Sequence, residues 1–183
     1  LGPVEGLLLP HLTPPACMQV WQADEITPIW AATETDLERQ GLEPPFWAFP
    51  WAGGQGVARY ILGHPEAVRG RRVLDVACGG GMLAIAAAAA GAREVFANDI
   101  DTMCEAATAL NAEANGVSVR WTGGNLLTTP PPEVDVILAG DVFYERDMSA
   151  GFQEWFARAA EAGITVYAGD PGRAYAPKGG PDP

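Results

Sequence analysis

The chain has 183 residues, of which 48% are hydrophobic and 19% are charged, and its formal net charge is −12. This length and composition are typical of one globular domain with a sizeable core, and they exclude bulk disorder. An acidic surface repels nucleic-acid phosphates and anionic lipids, so we expect neither a nucleic acid nor a membrane as a partner. A basic protein, or one that presents lysine, would be attracted.

Cysteine and histidine usage argues against a metal site. The three cysteines, Cys17, Cys78 and Cys104, show no paired spacing, and the chain has only two histidines. We therefore predict no disulfide framework, no metal centre and a reducing, cytoplasmic location. The sequence has no run of about 18 apolar residues, and its start does not resemble a signal peptide, so we predict no membrane span.

The first part of the chain is predicted to be an irregular extension. Residues 1–51 are rich in proline and tryptophan, with one short helix predicted over 35–40. Residues 52–183 are predicted to form the main domain. The prolines and the Gly-Gly pair of 44–54 exclude regular structure there, and a helical pattern covers 55–70.

Strands and helices alternate through the rest of the chain. Strands are predicted over 72–77, 94–99, 117–121, 134–140 and 164–169. Helices are predicted over 82–90, 101–116 and 148–163. This order predicts right-handed βαβ units and therefore a doubly wound, mostly parallel α/β sheet.

A glycine-rich loop joins the first strand to its helix. Gly79, Gly80 and Gly81 stand where a backbone can approach a nucleotide-like ligand, with helix N–H groups pointing at it. The string satisfies G-x-G-x-x-A, so a nicotinamide cofactor is one alternative and a purely structural turn is another. A Tyr-x-x-x-Lys pair for hydride transfer is absent, because the one lysine of the chain is Lys178.

Two carboxylates favour a different ligand. Asp75 lies inside the first strand, where a carboxylate is costly unless it is paired or hydrogen-bonded. Asp99 ends the second strand 24 positions later, close to the offset expected of an acid that binds a ribose. A ligand with a cationic amine and a ribose, such as S-adenosylmethionine, satisfies both acids. A buried acid bonded to loop amides is the alternative for Asp75.

The fourth strand also ends on an acid. Asp141 follows the apolar run of 134–140, and Tyr144 comes three residues later. Open α/β sheets bind ligands at the carboxyl ends of their strands. Asp141 is a candidate cap for the helix at Met148, but Asp147 suits that cap better by position. We therefore predict that Asp141 faces a substrate.

Several segments resemble a known family. DVACGGG, over 75–81, resembles motif I of the class I S-adenosylmethionine-dependent methyltransferases, with Ala77 in place of the first glycine. Six segments resemble a narrower family, the electron transfer flavoprotein β-subunit lysine methyltransferases and their bacterial relatives. These segments are PFWAFPWAGGQGVARYIL, VRGRRVLDVACGGG, FANDID, LNAEANGV, ILAGDVFYERD and GDPGRAY. This likeness runs from about Thr27 to Tyr175.

The resemblance implies a Rossmann-like, S-adenosylmethionine-dependent protein-lysine N-methyltransferase acting on the electron transfer flavoprotein β subunit. Methylation of another protein, such as a ribosomal protein, or of a small molecule remains open. A non-catalytic cofactor-binding module also remains open. Only eight residues follow Tyr175, so the predicted sheet lacks the last two strands of this class.

The resemblance also implies roles for individual residues. The cofactor-binding positions that it carries over are Trp51, Gln55, Asp75, Gly79, Gly81, Asp99, Ile100 and Asn125. Ile100 is expected against the adenine and Asn125 at its edge, although a loop cap explains Asn125 almost equally well. Asp141 and Tyr144 match a D-x-x-Y motif that lines the channel for the target lysine. Because a lone carboxylate favours the ammonium form, we expect Asp141 to orient the amine rather than to deprotonate it.

Overall fold

The computed structural model describes residues 2–3, 18–22 and 45–178, so the helix predicted over 35–40 lies outside the described residues. The main elements, in chain order, are α1 (Ala52–Gly63), β1 (Arg72–Val76), α2 (Met82–Ala89), β2 (Glu94–Asp99), α3 (Met103–Ala114), β3 (Arg120–Gly123), β4 (Val136–Gly140), α4 (Arg146–Glu161) and β5 (Thr165–Gly169). Three short 3-10 turns also occur among the described residues, at Phe46–Ala48, Pro65–Ala67 and Leu126–Thr128. Among the helices of these ranges, none combines the length and the apolar composition of a transmembrane segment.

The five strands form one parallel sheet in the order β3-β2-β1-β4-β5. The chain builds outward from β1 through β2 to β3 and then crosses back to β4 and β5. The order therefore reverses between β1 and β4, where Asp75 pairs with Leu138 and Val76 with Ala139. The crevice at such a switch point is where open α/β sheets bind ligands. The prediction of a doubly wound, mostly parallel α/β fold is confirmed.

The central strands β1 and β4 are buried between helices on both faces of the sheet, which explains their continuous apolar runs. On one face, Val73 and Val136 pack with α1 and α2, and Met18 and Val20 of the predicted extension join the same cluster. On the other face, residues of α4 such as Trp155, which is fully buried, cover the sheet. The apolar helix α2 is buried against the sheet, as its composition predicts.

The start of α1 differs from the prediction. Irregular structure over 44–54 and a helix from Gln55 were expected, but α1 already begins at Ala52, and Phe46–Ala48 forms a 3-10 turn. The helix also ends at Gly63 and does not continue to residue 70. The prediction that Gly53 and Gly54 break the helix is therefore wrong.

Close packing explains why glycine stands in the first turn of α1. A Cβ atom on Gly140, at the end of β4, would lie 2.6 Å from the Cα atom of Gly54. A Cβ atom on Gly53 would collide with the carbonyl oxygen of Gly169, at the end of β5. The four glycines thus allow the backbone of α1 to lie directly on the carboxyl ends of two strands.

Among the other boundaries that differ from the prediction are the starts of β3 and α4. Strand β3 begins at Arg120, not at residue 117, because the Val117 amide still donates to the Ala112 carbonyl in the turn that ends α3. Helix α4 begins at Arg146 with Glu145 at its N-cap and no side-chain cap bond. The prediction that Asp147 caps this helix is therefore wrong. Asp147 lies in the first turn, where a carboxylate interacts favourably with the helix dipole.

Candidate cofactor and substrate cavity

A cavity of about 500 Å³ lies at the carboxyl ends of β1, β2 and β4. Its wall is mostly apolar and aromatic, with acidic groups at separate points. The predicted site residues that line it are Trp51, Asp75, Gly79, Asp99, Ile100, Asp141 and Tyr144. The predicted site residues that do not line it are Gln55, Gly81 and Asn125. The structure thus brings seven of the ten predicted residues to one cavity.

The loop after β1 is built from left-handed backbone. Ala77, Gly79 and Gly81 have φ values of 52°, 53° and 76°, a region that favours glycine. A Cβ atom on Gly81, which precedes α2, would lie 2.6 Å from the Thr108 Cγ2 atom. Gly81 therefore packs against Thr108 of α3 and does not line the cavity, whereas Gly79 lies on the cavity wall.

Asp99 connects the ends of β1 and β2. Its Oδ2 atom accepts a hydrogen bond of 2.9 Å from the Gly79 amide, and its Oδ1 atom accepts one of 3.1 Å from the Asp101 amide. A carboxylate oxygen can accept more than one hydrogen bond, so both oxygens keep acceptor capacity. The side chain is thus oriented by the protein and still able to bind a ligand hydroxyl.

Asp75 is a buried acid with one unsatisfied oxygen. Its Oδ2 atom accepts from the Ala84 amide at 2.9 Å, while its Oδ1 atom has no hydrogen-bond partner among the described residues. Burial raises the pKa of Asp75 to about 8, the Ala84 amide acts in the opposite sense, and the charge of Asp99 raises it further. An unsatisfied buried acceptor on a cavity wall, with a perturbed pKa, is typical of a binding position.

We expect Asp75→Asn to remove a pH dependence of stability. The folded pKa of about 8 lies above the ordinary value of 3.8, so the folded state holds a proton that the unfolded state has released. The free energy of unfolding therefore falls as pH rises from about 4 to 8, by at most about 1.4 kcal/mol per pH unit. Urea unfolding of the ligand-free protein at several pH values checks this. Glu113→Gln, on the exposed side of α3, is the control and should keep the wild-type slope.

The segment before α1 forms the cover of the cavity. The Trp51 indole donates to the Phe46 carbonyl at 2.9 Å, and Trp51 is 37% exposed at the cavity edge. Gln55 is buried in α1, where its amide group donates to the Pro50 carbonyl at 2.6 Å. Gln55 therefore holds the cover in place and does not line the cavity, whereas Trp51 does.

Asn111, which the sequence interpretation missed, joins the glycine loop to the segment 18–22. Its Nδ2 atom donates to the Gly80 carbonyl at 2.8 Å, and its Oδ1 atom accepts from the Trp21 amide at 2.6 Å. Asn115, one turn later, accepts from the Gln19 amide at 2.9 Å. Two asparagines four residues apart share one helix face, and this spacing in LNAEANGV is the signal that identifies the pair.

Asn111→Ala is expected to lower the free energy of unfolding by about 2 kcal/mol, because the Gly80 and Trp21 backbone groups lose a buried partner. Urea unfolding measures the change. The matched control is Leu110→Ala, the adjacent residue, whose side chain is 53% exposed. An equal effect of the two substitutions would contradict the proposed bridge.

Asp141 has a left-handed backbone conformation, and three hydrogen bonds hold the residue in place. Its φ is 61°, and its amide donates to the Gly169 carbonyl at 2.8 Å. Its Oδ2 atom accepts from the Gly54 amide at 2.8 Å, and its Oδ1 atom accepts from Arg173 Nη1 at 2.6 Å. The residue thus ties together the ends of β4 and β5 and the first turn of α1. Strained backbone of this kind is found at ligand sites, where the surrounding structure holds it.

Arg173 is a second residue that the sequence interpretation missed. It lines the cavity and also donates to the Asp170 Oδ2 atom at 3.0 Å. The Asp170 Oδ1 atom accepts from the backbone amides of Gly172 and Arg173 and so fixes the loop after β5. Partial burial lowers the pKa of Arg173, but hydrogen bonds to Asp141 and Asp170 more than offset this and raise it above its ordinary value.

Three aromatic side chains surround the mouth of the cavity. The ring of Phe46 lies 5.9 Å from that of Tyr144 and 6.1 Å from that of Trp51. All three are between 37% and 51% exposed. We call these residues the aromatic rim. It presents flat apolar surface between solvent and Asp141.

Asn125 adopts the capping role that its sequence position left open. Its Oδ1 atom accepts from the Leu127 amide at 3.0 Å, at the start of the Leu126–Thr128 turn. The side chain is therefore used within its own loop.

The chain is similar to known methyltransferases. A family profile described as Ribosomal protein L11 methyltransferase (PrmA) matches residues 64–141. The electron transfer flavoprotein β subunit lysine methyltransferase of Danio rerio is 42% identical over 132 residues, which cover 71% of this chain and 51% of that protein. The ribosomal protein L11 methyltransferase of Geobacter sulfurreducens is 38% identical over 112 residues, covering 59% of this chain and 33% of that protein.

A solved structure shows a similar fold. The ribosomal protein L11 methylase of Lactobacillus delbrueckii subsp. bulgaricus has a TM-score of 0.50 and 27% identity, covering 62% of this chain and 57% of that chain. The fold, the glycine loop and these similarities place the chain among the class I S-adenosylmethionine-dependent methyltransferases. Within that class it is similar to the electron transfer flavoprotein β-subunit lysine methyltransferases, and the predicted resemblance is confirmed. The chain spans about half the length of these curated relatives.

Proposed function

We propose that this chain is the catalytic part of an S-adenosylmethionine-dependent protein-lysine N-methyltransferase, with the electron transfer flavoprotein β subunit as its substrate. In this proposal residues 52–183 form the methyltransferase domain. The observation that carries the proposal is that one cavity joins the glycine loop and Asp99 to Asp141 and the aromatic rim. In this proposal the cofactor and the acceptor lysine therefore occupy two ends of the same cavity.

The residues at the β1 and β2 end fit S-adenosylmethionine, which supplies a methyl group activated on a sulfonium. The unsatisfied Oδ1 atom of Asp75 suits the amine of the cofactor, and a nearby cation would favour the ionised carboxyl group. Gly79 allows a close approach of the backbone. The two oxygens of Asp99 suit the ribose hydroxyls. Ile100, which is 71% exposed at the cavity edge, offers apolar surface for the adenine.

The residues at the β4 end fit a lysine side chain. The methylene groups of a lysine would lie against the aromatic rim, since long amphipathic side chains bury their stems on apolar surface. Apolar surroundings also disfavour the ammonium form, and methyl transfer requires the neutral amine. Asp141 then orients the amine, and Tyr144 walls the channel. Proximity and alignment are the main contributions that such a site makes to the rate.

The charge of the chain supports a protein substrate that presents lysine. A net charge of −12 attracts a basic surface and speeds its association. The curated relatives with about 40% identity are named for a protein substrate, the electron transfer flavoprotein β subunit. Both observations support a protein acceptor over a small molecule.

Methylation of a ribosomal protein is the second candidate. The profile match over 64–141 and the Lactobacillus structure favour it, because both are named for ribosomal protein L11. The profile match covers the glycine loop and Asp99, which bind the cofactor in the proposal, and stops at Asp141. The profile therefore carries little information on the acceptor side.

Transfer of a radiolabelled methyl group tests the proposal. The protein is incubated with labelled S-adenosylmethionine and either purified electron transfer flavoprotein or ribosomal protein L11. We expect label in lysines of the flavoprotein β subunit. Label in L11 alone would favour the second candidate, and calorimetric binding of S-adenosylhomocysteine without any transfer would indicate a binding module. Binding of NADH in place of S-adenosylhomocysteine would overturn the cofactor assignment.

A further inference from the structure

We propose that Arg173 is a positioning residue that makes Asp141 a binding site for a neutral lysine amine and not for an ammonium ion. The inference rests on the proposed function and adds a charge-controlling group to the same site. The Asp141 carboxylate is 8% exposed, and Arg173 Nη1 contacts its Oδ1 atom at 2.6 Å. The Arg173 guanidinium thus forms an ion pair with the Asp141 carboxylate at the wall of the cavity.

The hydrogen bonds of Asp141 leave acceptor capacity on both carboxylate oxygens. The Oδ2 atom accepts from the Gly54 amide, and the Oδ1 atom accepts from Arg173. Each oxygen has a second lone pair. An amine that enters past the aromatic rim can therefore donate to Asp141 while Arg173 remains in place. It does so beside a fixed positive charge.

That positive charge decides which form of lysine the site prefers. A lone carboxylate holds lysine as ammonium, whose nitrogen has no lone pair to attack a methyl group. A guanidinium on the same carboxylate repels an ammonium ion and leaves a neutral amine unaffected. Arg173 therefore lowers the pKa of the bound lysine relative to a site that contains Asp141 alone.

Other titratable groups around the cavity also contribute to the charge that a bound lysine experiences. Asp170 contacts Arg173 at 3.0 Å, so the group of Asp141, Asp170 and Arg173 carries a net charge of −1. Tyr144 lies at the mouth. The titratable groups at the β1 and β2 end of the cavity are Asp75, Cys78, Asp99, Asp101 and Cys104. Loss of the Arg173 charge would change the net charge of the group to −2, and loss of the Asp170 charge would change it to zero. The two changes should move the pKa of a bound lysine in opposite directions.

The chemical step requires this deprotonation. The lysine nitrogen forms a bond to the methyl carbon as the bond between that carbon and sulfur breaks. The sulfonium becomes the neutral thioether of S-adenosylhomocysteine, and the methylated nitrogen carries the positive charge until it releases a proton to water. No oxidant or further reactant is needed.

The pH dependence of methyl transfer tests the inference, with Arg173→Gln, Arg173→Lys and Asp170→Asn measured beside the wild type. For Arg173→Gln we expect the midpoint of the kcat profile to rise by about one pH unit, since a neighbouring charge moves a pKa by this amount or more. At pH 7 its kcat should then fall about tenfold while KM does not increase. The Arg173→Lys variant should have a midpoint close to that of the wild type, and the Asp170→Asn variant should have a lower midpoint than the wild type.

Asp170→Asn is suited to testing the opposite change in charge, because an asparagine oxygen can still accept hydrogen bonds from the Gly172 and Arg173 amides. The matched control is Arg120→Gln, which makes the same change in net charge at the far edge of the sheet, where Arg120 pairs with Glu94. Its profile should equal that of the wild type. Calorimetry with S-adenosylhomocysteine shows whether each variant is folded.

The outcomes separate the two proposals. Equal losses of rate at every pH in Arg173→Gln, with no shift of the midpoint in Asp170→Asn, would show that Arg173 only supports the loop. If Arg173→Gln fails to fold, the direction of the Asp170→Asn shift decides the question, and an unchanged midpoint overturns the inference. A wild-type protein that methylates no protein lysine would overturn the proposed function itself, and the inference with it.

Discussion

Asp141→Asn is expected to lower the rate of methyl transfer about a hundredfold or more, while the affinity for S-adenosylhomocysteine stays close to that of the wild type. Asparagine is nearly isosteric and tolerates left-handed backbone, so the φ of 61° is retained at little cost. Its oxygen can accept from the Gly54 amide as Asp141 does. Its NH2 group then faces the Arg173 guanidinium, so the negative charge and the acceptor oxygen beside Arg173 are both lost. Misalignment of about 1 Å is enough for a loss of this size.

The measurement is initial-rate methyl transfer at saturating S-adenosylmethionine, with calorimetry on the same preparation. Asp147→Asn is the matched control, because it makes the same chemical change on an exposed residue in the first turn of α4. We expect the control to keep wild-type activity. Full activity in Asp141→Asn would exclude a role for this carboxylate in orienting the amine.

Gly140→Ala is expected to lower the free energy of unfolding by about 3 kcal/mol and to reduce methyl transfer as well. Its Cβ atom would lie 2.6 Å from Gly54 Cα and 2.8 Å from Gly54 N, and both neighbours are backbone atoms that no rotamer change can move. Overpacking of this kind typically costs about 1–3 kcal/mol, and occasionally more. Helix α1 would have to shift away from β4. The Gly54 amide would then leave the Asp141 carboxylate.

Urea unfolding measures the first effect and methyl transfer the second. Gly56→Ala, on the exposed side of the same helix, is the control because its Cβ atom would meet nothing within 4 Å. Alanine in an exposed helix interior is favoured over glycine by about 0.5–1 kcal/mol, so this variant should be slightly more stable than the wild type. Equal stabilities of the Gly140→Ala and Gly56→Ala variants would show that α1 does not depend on close packing at Gly140.

Local sequence patterns were enough to predict the central sheet. Strand β2 was predicted over 94–99 and occupies Glu94–Asp99, because an apolar run that ends on a carboxylate defines both its length and its end. Helix α2 was predicted from residue 82 and begins at Met82, since the glycine loop leaves few other starting points. The same patterns placed Asp75, Asp99 and Asp141 near strand ends. Parallel strand order then brings the three acids to one cavity.

The features that were missed depend on partners far away in the chain. Gly53 and Gly54 predict a break when only neighbouring residues are considered, and their helix forms because β4 and β5 lie against it. Arg173 lies 32 positions after Asp141, and nothing near Arg173 in the sequence identifies the acid that it contacts. Asn111 likewise bonds to Trp21, 90 positions earlier. The identities of these residues were visible in the sequence, but their partners were not.

The unsatisfied oxygen of Asp75 has a consequence for ligand binding in solution. With a pKa of about 8, this acid is largely protonated in the ligand-free protein at neutral pH. A cationic amine placed against it would favour the carboxylate, so each binding event should release close to one proton to the buffer. The measured heat of binding would then vary with the ionisation enthalpy of the buffer. Affinity would increase as the pH rises toward 8, so cofactor binding to this chain would depend on the acidity of its surroundings.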